Sequence, residues 1–295
     1  MERKTAKDFD PNVLLLFDAY VHGAIDRRAF LEKASKYAVG TVTAAILLDE
    51  LNPKFAQAQE VAKDDKRITQ EYVSFPSPQG NGKTNAYLVR PSSAKGKLPG
   101  VVVVHENRGL NPHIEDIARR VALADFVALA PDALAPLGGY PGNEDAAREL
   151  FAKLDQARTR KDFLAAAAFL KAHPACTGRI GVVGFCWGGG MANALAVRLP
   201  DLGAAVPFYG NQPTAEETAK IEASLLIHYA ENDPRINAGW PAYEAALKTA
   251  KVKYSAYTYP GTEHGFNNDT TPRYDEAAAK LAWQRTIDFL NQHLR

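Results

Sequence analysis

The stretch IGVVGFCWGGGMANALAVRL, residues 180–199, decides the fold of this chain. Its opening residues are apolar or glycine without alternation, as in a strand buried on both faces, and its closing residues carry helical propensity. Between them stands Gly-Phe-Cys-Trp-Gly, residues 184–188. In a Gly-x-nucleophile-x-Gly turn, larger flanking side chains would collide, and the central residue projects from the edge of the sheet. Cys186 is therefore a candidate nucleophile, and its place at a helix N-terminus favours the reactive thiolate. The competing reading is a buried structural cysteine, because free cysteines are among the most buried residues.

Outward from this stretch, strand signals recur. EYVSFP and NAYLVR alternate apolar and polar positions around the turn PSPQGNG, which predicts an antiparallel hairpin. Apolar runs follow: VVVVH (101–105), FVALAP (126–131), AAVPFY (204–209), SLLIHY (224–229) and YSAYTY (254–259). Helical segments such as IEDIARRVALA, KDFLAAAAFLKAH and PAYEAALKTAK lie between most of them. Strands alternating with helices predict a mostly parallel sheet covered on both faces. Eight strands with an antiparallel start is the plan of an α/β-hydrolase.

The chain has 295 residues, with 35 Lys and Arg against 34 Asp and Glu. It carries no block of like charges, which argues against a nucleic-acid partner. No apolar stretch reaches the roughly 18 residues of a spanning helix, so no stable membrane insertion is expected. Cys176 and Cys186 flank one strand-like run and are not expected to pair.

Residues 1–66 read as an N-terminal helical extension and residues 67–295 as the catalytic domain, with the boundary near Lys66. The extension contains DRRAFLEKA, then an apolar run, then Ala-Gln-Ala at 56–58, an order similar to a twin-arginine export signal. Asp26 and Glu32 depart from that pattern, and the alternative is a retained extension with Arg27 and Arg28 solvated. Retention implies a cytoplasmic bacterial protein, and cleavage near Gln59 a periplasmic one. The extension's helices are also candidates for a homodimer surface.

A thiol nucleophile needs a base, and the base an orienting group. In this fold the order is nucleophile, acid, histidine. Asp233 lies in AENDPRI after SLLIHY, and His264 in PGTEHGF after YSAYTY, so both are expected at the same sheet edge as Cys186. Glu231 is a rival to Asp233, but the proline after Asp233 rigidifies the turn that aims it. His173, His228 and His293 fall on helices or within a strand and read as structural or solvated, and Asp132 as shaping the pocket. The loop HENRGLNPH (105–113) follows VVVV, and the backbone N–H groups of Asn107 and Trp187 are candidates for an oxyanion hole. Glu106 would lie beside the pocket, with His105 or Arg108 as a partner, and a plain ion pair with Arg108 is the simplest account of it. Tyr140, in GGYPGN, is a candidate for the pocket entrance or an ordinary turn aromatic.

HENRGLN, the APDAL segment, GFCWGG, Asp233 before proline, and HGF around His264 together resemble the dienelactone hydrolase family, over roughly residues 67–295. Within it, the helical N-terminus and PLGGYPGN are similar to a branch of YghX-like hydrolases. The resemblance implies hydrolysis of small esters or lactones, as by a carboxymethylenebutenolidase, through an acyl-thiol intermediate and without metal or organic cofactor. It also implies that Glu106 contacts the thiol and helps to ionise it when substrate enters. Two arginines that hold the dienelactone carboxylate in the family are missing here: their neighbourhoods read Pro136 and Asn267–Asn268. Arg108 or Arg273 are the candidates to replace them. Alternatives are a general carboxylesterase, or a redox-thiol or non-catalytic binding protein on the same fold.

Overall fold

The computed structural model describes residues 4–295. Four helices come first: α1 (Pro11–Val21), α2 (Arg27–Ala34), α3 (Ala44–Leu51) and α4 (Phe55–Ala58). Asp10, Asp26 and Thr43 cap the first three, each side chain accepting a backbone N–H of the first turn. Asp26 is thus a helix cap, Arg27 lies 3.3 Å from Asp145, and Arg28 is exposed. Phe17, Tyr20, Phe30 and Leu48 are buried together in a core that belongs to this segment.

The sheet has eight strands: β1 (Ile68–Ser77), β2 (Gly82–Pro91), β3 (Leu98–Val104), β4 (Val127–Pro131), β5 (Cys176–Phe185), β6 (Ala204–Phe208), β7 (Ser224–Asn232) and β8 (Tyr254–Glu263). Their spatial order is β1-β2-β4-β3-β5-β6-β7-β8. β1 and β2 form the antiparallel hairpin, β2 joins β4 antiparallel, and every later neighbour pair is parallel. This is the mostly parallel α/β-hydrolase sheet that the apolar runs predicted. β4 and β6 are buried along their whole length, as strands covered on both faces must be.

The later helices are α5 (Pro112–Leu123), α6 (Glu144–Phe151), α7 (Gln156–Ala172), α8 (Trp187–Arg198), α9 (Ala215–Thr218), α10 (Pro234–Asn237), α11 (Trp240–Thr249) and α12 (Glu276–Leu294). One core packs α7, α8 and α11 on one face of the sheet, through residues such as Phe163, Leu195 and Leu247. The other packs α5 and α12 on the opposite face, through Ile114, Val121, Ala282 and Leu290.

Beyond its own core, the N-terminal segment is tied to the sheet domain by buried polar contacts. Asp116 on α5 accepts the N–H groups of Glu60 and Val61 at 3.1 and 2.9 Å, and fully buried Arg119 donates to the Val61 carbonyl at 2.8 Å. A neighbouring tie runs from Lys54 N–H to Thr270 O at 2.8 Å. No helix among the described residues is long and apolar enough to cross a membrane.

Candidate active site

Cys186 sits between β5 and α8 with φ +56° and ψ −115°, a conformation that side chains other than glycine rarely adopt. Such strain costs of order 1–3 kcal/mol and persists only where the surroundings impose it. Here the neighbours impose it. A Cβ on Gly184 would lie 2.0 Å from Gly188 O, and one on Gly188 would lie 2.4 Å from Val104 O. The Cys186 N–H is fixed on Phe208 O at 3.0 Å, so the bend is held from β6 as well.

Asp233 follows β7 and His264 follows β8, and the topology brings both loops to the carboxyl edge beside the bend. Asp233 Oδ2 lies 2.5 Å from His264 Nδ1, with both side chains buried. Asp233 Oδ1 accepts the Ile236 N–H at 3.3 Å and so caps α10. Glu231, the rival acid, is exposed and accepts the Gly261 N–H at 2.7 Å, away from the histidine. His264 Nε2 is buried without a hydrogen-bond partner. An imidazole nitrogen of His264, one of His22 and the Cys186 sulfur lie within 4.8 Å of one another.

Burial by itself would push the Cys186 thiol up, but the charges of His264 and His22 and the hydrogen bond with His22 more than offset it and bring the thiol down to about 6. Burial opposes the charged form of His264, yet Cys186 and Asp233 outweigh it and hold His264 above its ordinary value. The two residues therefore favour a thiolate facing an imidazolium.

His22 was not among the residues singled out from sequence. Its Nε2 lies 3.3 Å from Cys186 Sγ, and its ring meets that of His264 edge-on at 4.8 Å between centroids. Asp18 on α1 and His22 just beyond its end are four residues apart, so one face carries both. That spacing in DAYVHG was the available signal. Nothing local tells that the face meets a cysteine far along the chain. These side chains include metal-ligating types, but Arg235 Nη2 lies 3.1 Å from His22 Nε2. A guanidinium there puts a fixed positive charge where a cation would sit, so the grouping is a hydrogen-bonded ion network.

The remaining sequence candidates fall as follows. Asn107 stands in the loop after β3 and Trp187 at the first position of α8, on either side of the bend, and neither backbone N–H is given to a backbone carbonyl among the described residues. The Asn107 side chain donates to Val21 O at 2.7 Å, where α1 ends. Glu106 forms no pair with Arg108: its Oε2 accepts from Asn268 Nδ2 at 2.8 Å, while Arg108 donates to Val21 O at 3.2 Å and lies 3.7 Å from Glu144. His105 is no partner for that carboxylate either, because its Nε2 accepts the Ala133 N–H at 3.1 Å. Tyr140 does not line the pocket. Its hydroxyl donates to Glu144 at 2.8 Å, and Glu144 lines it instead.

Arg108 and Arg273 both line the pocket, and Arg273 Nη1 lies 3.3 Å from Asp18 Oδ1. Both guanidinium groups thus face groups of α1. Asp132 is buried and accepts the N–H groups of Leu110 and Leu134, a structural role in the loop after β4. His228 is buried between Tyr259 and Thr286, and burial pushes it down to about 3, so it is a neutral core histidine. The cavity beside Cys186 holds about 40 Å³, with Phe17, Tyr20 and His22 of the N-terminal segment forming one wall.

The model of the dienelactone hydrolase family matches residues 84–294, and a YqhI-like model matches residues 1–39. The chain is 55% identical to "Putative hydrolase fragment YghX" of Escherichia coli over 114 residues, 39% of this chain and 97% of that one. It is 32% identical to "Putative carboxymethylenebutenolidase" of the same species over 247 residues, 79% of this chain and 90% of that one. Among solved structures, a "Putative Dienelactone Hydrolase" from Klebsiella pneumoniae superposes with a TM-score of 0.66 at 29% identity, covering 76% of this chain and 99% of that one. With the eight-stranded sheet, the glycine-flanked cysteine bend and a family match over most of its length, this chain belongs to the dienelactone hydrolase family and is a hydrolase of ester bonds.

Proposed function

We propose that the protein hydrolyses small esters or lactones with Cys186 as nucleophile, through an acyl-thiol intermediate. The observation that carries this reading is the forced positive φ of Cys186 at the start of α8, beside a buried His264–Asp233 pair. A strained residue held at a helix N-terminus and facing a carboxylate-oriented imidazole is arranged for attack.

The thiolate adds to the carbonyl carbon, forming the S–C bond while the carbonyl electron pair becomes an oxyanion. The N–H groups of Asn107 and Trp187 receive that charge. The tetrahedral adduct collapses, the C–O bond to the alcohol breaks, and His264 gives its Nε2 proton to the departing alkoxide. Neutral His264 then takes a proton from water as the water adds to the thioester, and collapse returns the thiolate and the carboxylic acid. Asp233 holds the imidazole in register throughout.

Residues 1–66 belong to the working enzyme in this reading and are retained in it, because His22 lies against the sulfur. The test is p-nitrophenyl acetate hydrolysis with mass spectrometry of the quenched enzyme. A burst of nitrophenol with one acetyl group on the Cys186 peptide is expected, and Cys186→Ala is expected to lose both. Unchanged turnover in Cys186→Ala overturns the reading.

A further inference from the structure

The mechanism above uses one imidazole, yet the sulfur stands between two. The first residue beyond α1, His22, places its Nε2 3.3 Å from Cys186 Sγ. Its other ring nitrogen, Nδ1, lies 2.8 Å from the Asp18 carbonyl oxygen and 3.2 Å from Asp18 Oδ1. Both neighbours of Nδ1 are acceptors, so Nδ1 carries a proton, and Nε2, 3.1 Å from the donor-only guanidinium of Arg235, faces the sulfur as an acceptor while the ring is neutral. Carboxylate, imidazole and sulfur follow one another here in the same order as in Asp233, His264 and Cys186.

We infer that His22 is a catalytic residue supplied by the N-terminal extension: backed by Asp18, its Nε2 takes the Cys186 thiol proton and holds the sulfur as a thiolate in the resting enzyme. The inference rests on Cys186 being the nucleophile. It assigns the extension a share in the chemistry.

The charges around the pair decide whether such an imidazolium is stable. From α1 comes Asp18, and from α10 comes Arg235, whose Nη2 is 3.1 Å from His22 Nε2 and whose Nε is 3.8 Å from Asp18 Oδ2. From the segment after β8 come His264 and Arg273, and from the loop after β3 come Glu106 and Arg108. Arg235 and Arg273 oppose a further positive charge, but both also lie against the Asp18 carboxylate, and the sulfur beside Nε2 supplies a second negative charge. Burial would push His22 down, whereas Cys186 and Asp18 raise it to about 10. Asp18 in turn is held well below the usual carboxylate range: burial would raise it, but His22, His264 and Arg273 prevail.

A second observation favours His22 over a passive cover. His264 Nε2 closes no hydrogen bond, and Glu106 is held on Asn268, so neither supplies a donor to the sulfur in this conformation. His22 Nε2 is the imidazole nitrogen within hydrogen-bond distance of the sulfur. A hydrogen bond from a charged donor to a buried thiolate is among the stronger ones.

The test is the pH dependence of iodoacetamide alkylation of Cys186 in the full-length protein, followed on the Cys186 peptide by mass spectrometry. The wild type is expected to react half-maximally near about 6, where the thiol titrates. His22→Gln is expected to move that midpoint up by one pH unit or more, a tenfold loss of thiolate on the acid side. Asp18→Asn is expected to move it in the same direction by less. Thermal melting of each variant reports whether it folds, and His22→Asn stands in should His22→Gln not fold. Faster alkylation at every pH with an unchanged midpoint would mean that His22 only covers the sulfur, and would overturn the inference. The alkylation assay needs no substrate. If Cys186→Ala still hydrolyses esters, the nucleophile reading fails; if it does not but the midpoint is unmoved in His22→Gln, only His22 fails.

Discussion

Asp233 meets His264 through Oδ2 at 2.5 Å while its Oδ1 caps α10 through the Ile236 N–H at 3.3 Å. One carboxylate therefore has two separable duties. Asn can keep the cap, since Asn and Asp cap about equally well, but it cannot supply the negative charge behind the imidazole. Asp233→Asn is expected to lower kcat for p-nitrophenyl acetate by about 10²–10⁴-fold while leaving the urea midpoint almost unchanged. Asp233→Ala should lose about 1 kcal/mol of stability in addition. A kcat loss in Asp233→Asn matched by an equal loss of stability would show that the effect is structural.

The thiol titrates near about 6, so kcat/KM is expected to fall about tenfold per pH unit on the acid side of that value. For stability the sign follows from the unfolded thiol, near about 8.5. A lowered folded value adds stability above about 8.5, and that stability is lost as pH falls through about 6. His22 works in the opposite sense: its folded value near about 10 adds stability below about 6.5 that is lost as pH rises through 10. Urea unfolding of the wild type against Cys186→Ala across this range should show the difference. A flat difference through pH 6 would contradict a lowered thiol.

Gly188 meets the backbone of β3 and its following loop where a side chain would stand, with Val104 O at 2.4 Å and His105 O at 2.5 Å from a built Cβ. Backbone cannot move aside as a flexible side chain can. Gly188→Ala is expected to cost about 1–3 kcal/mol in urea unfolding and to reduce the nitrophenol burst. Wild-type stability in this variant would mean the bend is looser than its geometry.

Arg119 is fully buried and donates to Val61 O and Tyr87 Oη, with Asp116 3.2 Å away. In Arg119→Met, Asp116 keeps Arg120 and two backbone N–H groups, but Val61 O loses its side-chain donor. The expected loss is about 2–4 kcal/mol by urea unfolding. Limited proteolysis should then cut near residues 59–66 before it cuts the sheet.

How far the sequence alone leads depends on how local each signal is. β3, β4 and β6 are apolar because both faces are covered, and that cause leaves its mark in every residue of the run. The bend around Cys186 was legible for a similar reason, since the clash that demands Gly184, against the Gly188 carbonyl, acts within five residues, although Gly188 itself is demanded by β3 and the loop after it. Asp233 and His264 could be placed because the order of strands fixes where their loops emerge. The partners of Glu106 and Tyr140 could not, because each is chosen by side-chain direction: Asn268, for Glu106, comes from across the pocket, and Glu144, at the start of α6, lies four residues on from Tyr140 in its loop. His22 was the hardest. Its pairing with Asp18 is local, whereas its contact with Cys186 joins two separately built cores and leaves no mark on either segment's pattern.

The cavity beside Cys186, at about 40 Å³, admits a few water molecules, whereas sites for small organic ligands occupy roughly 300–1,000 Å³. One wall of it is the N-terminal segment, and an ester too large for the cavity would reach the sulfur only in the fraction of molecules in which that wall is displaced. Every substrate's apparent affinity is then multiplied by that same fraction. Two esters of quite different shape would show KM values raised by one common factor, and the discrimination between them would be left to the chemistry at Cys186.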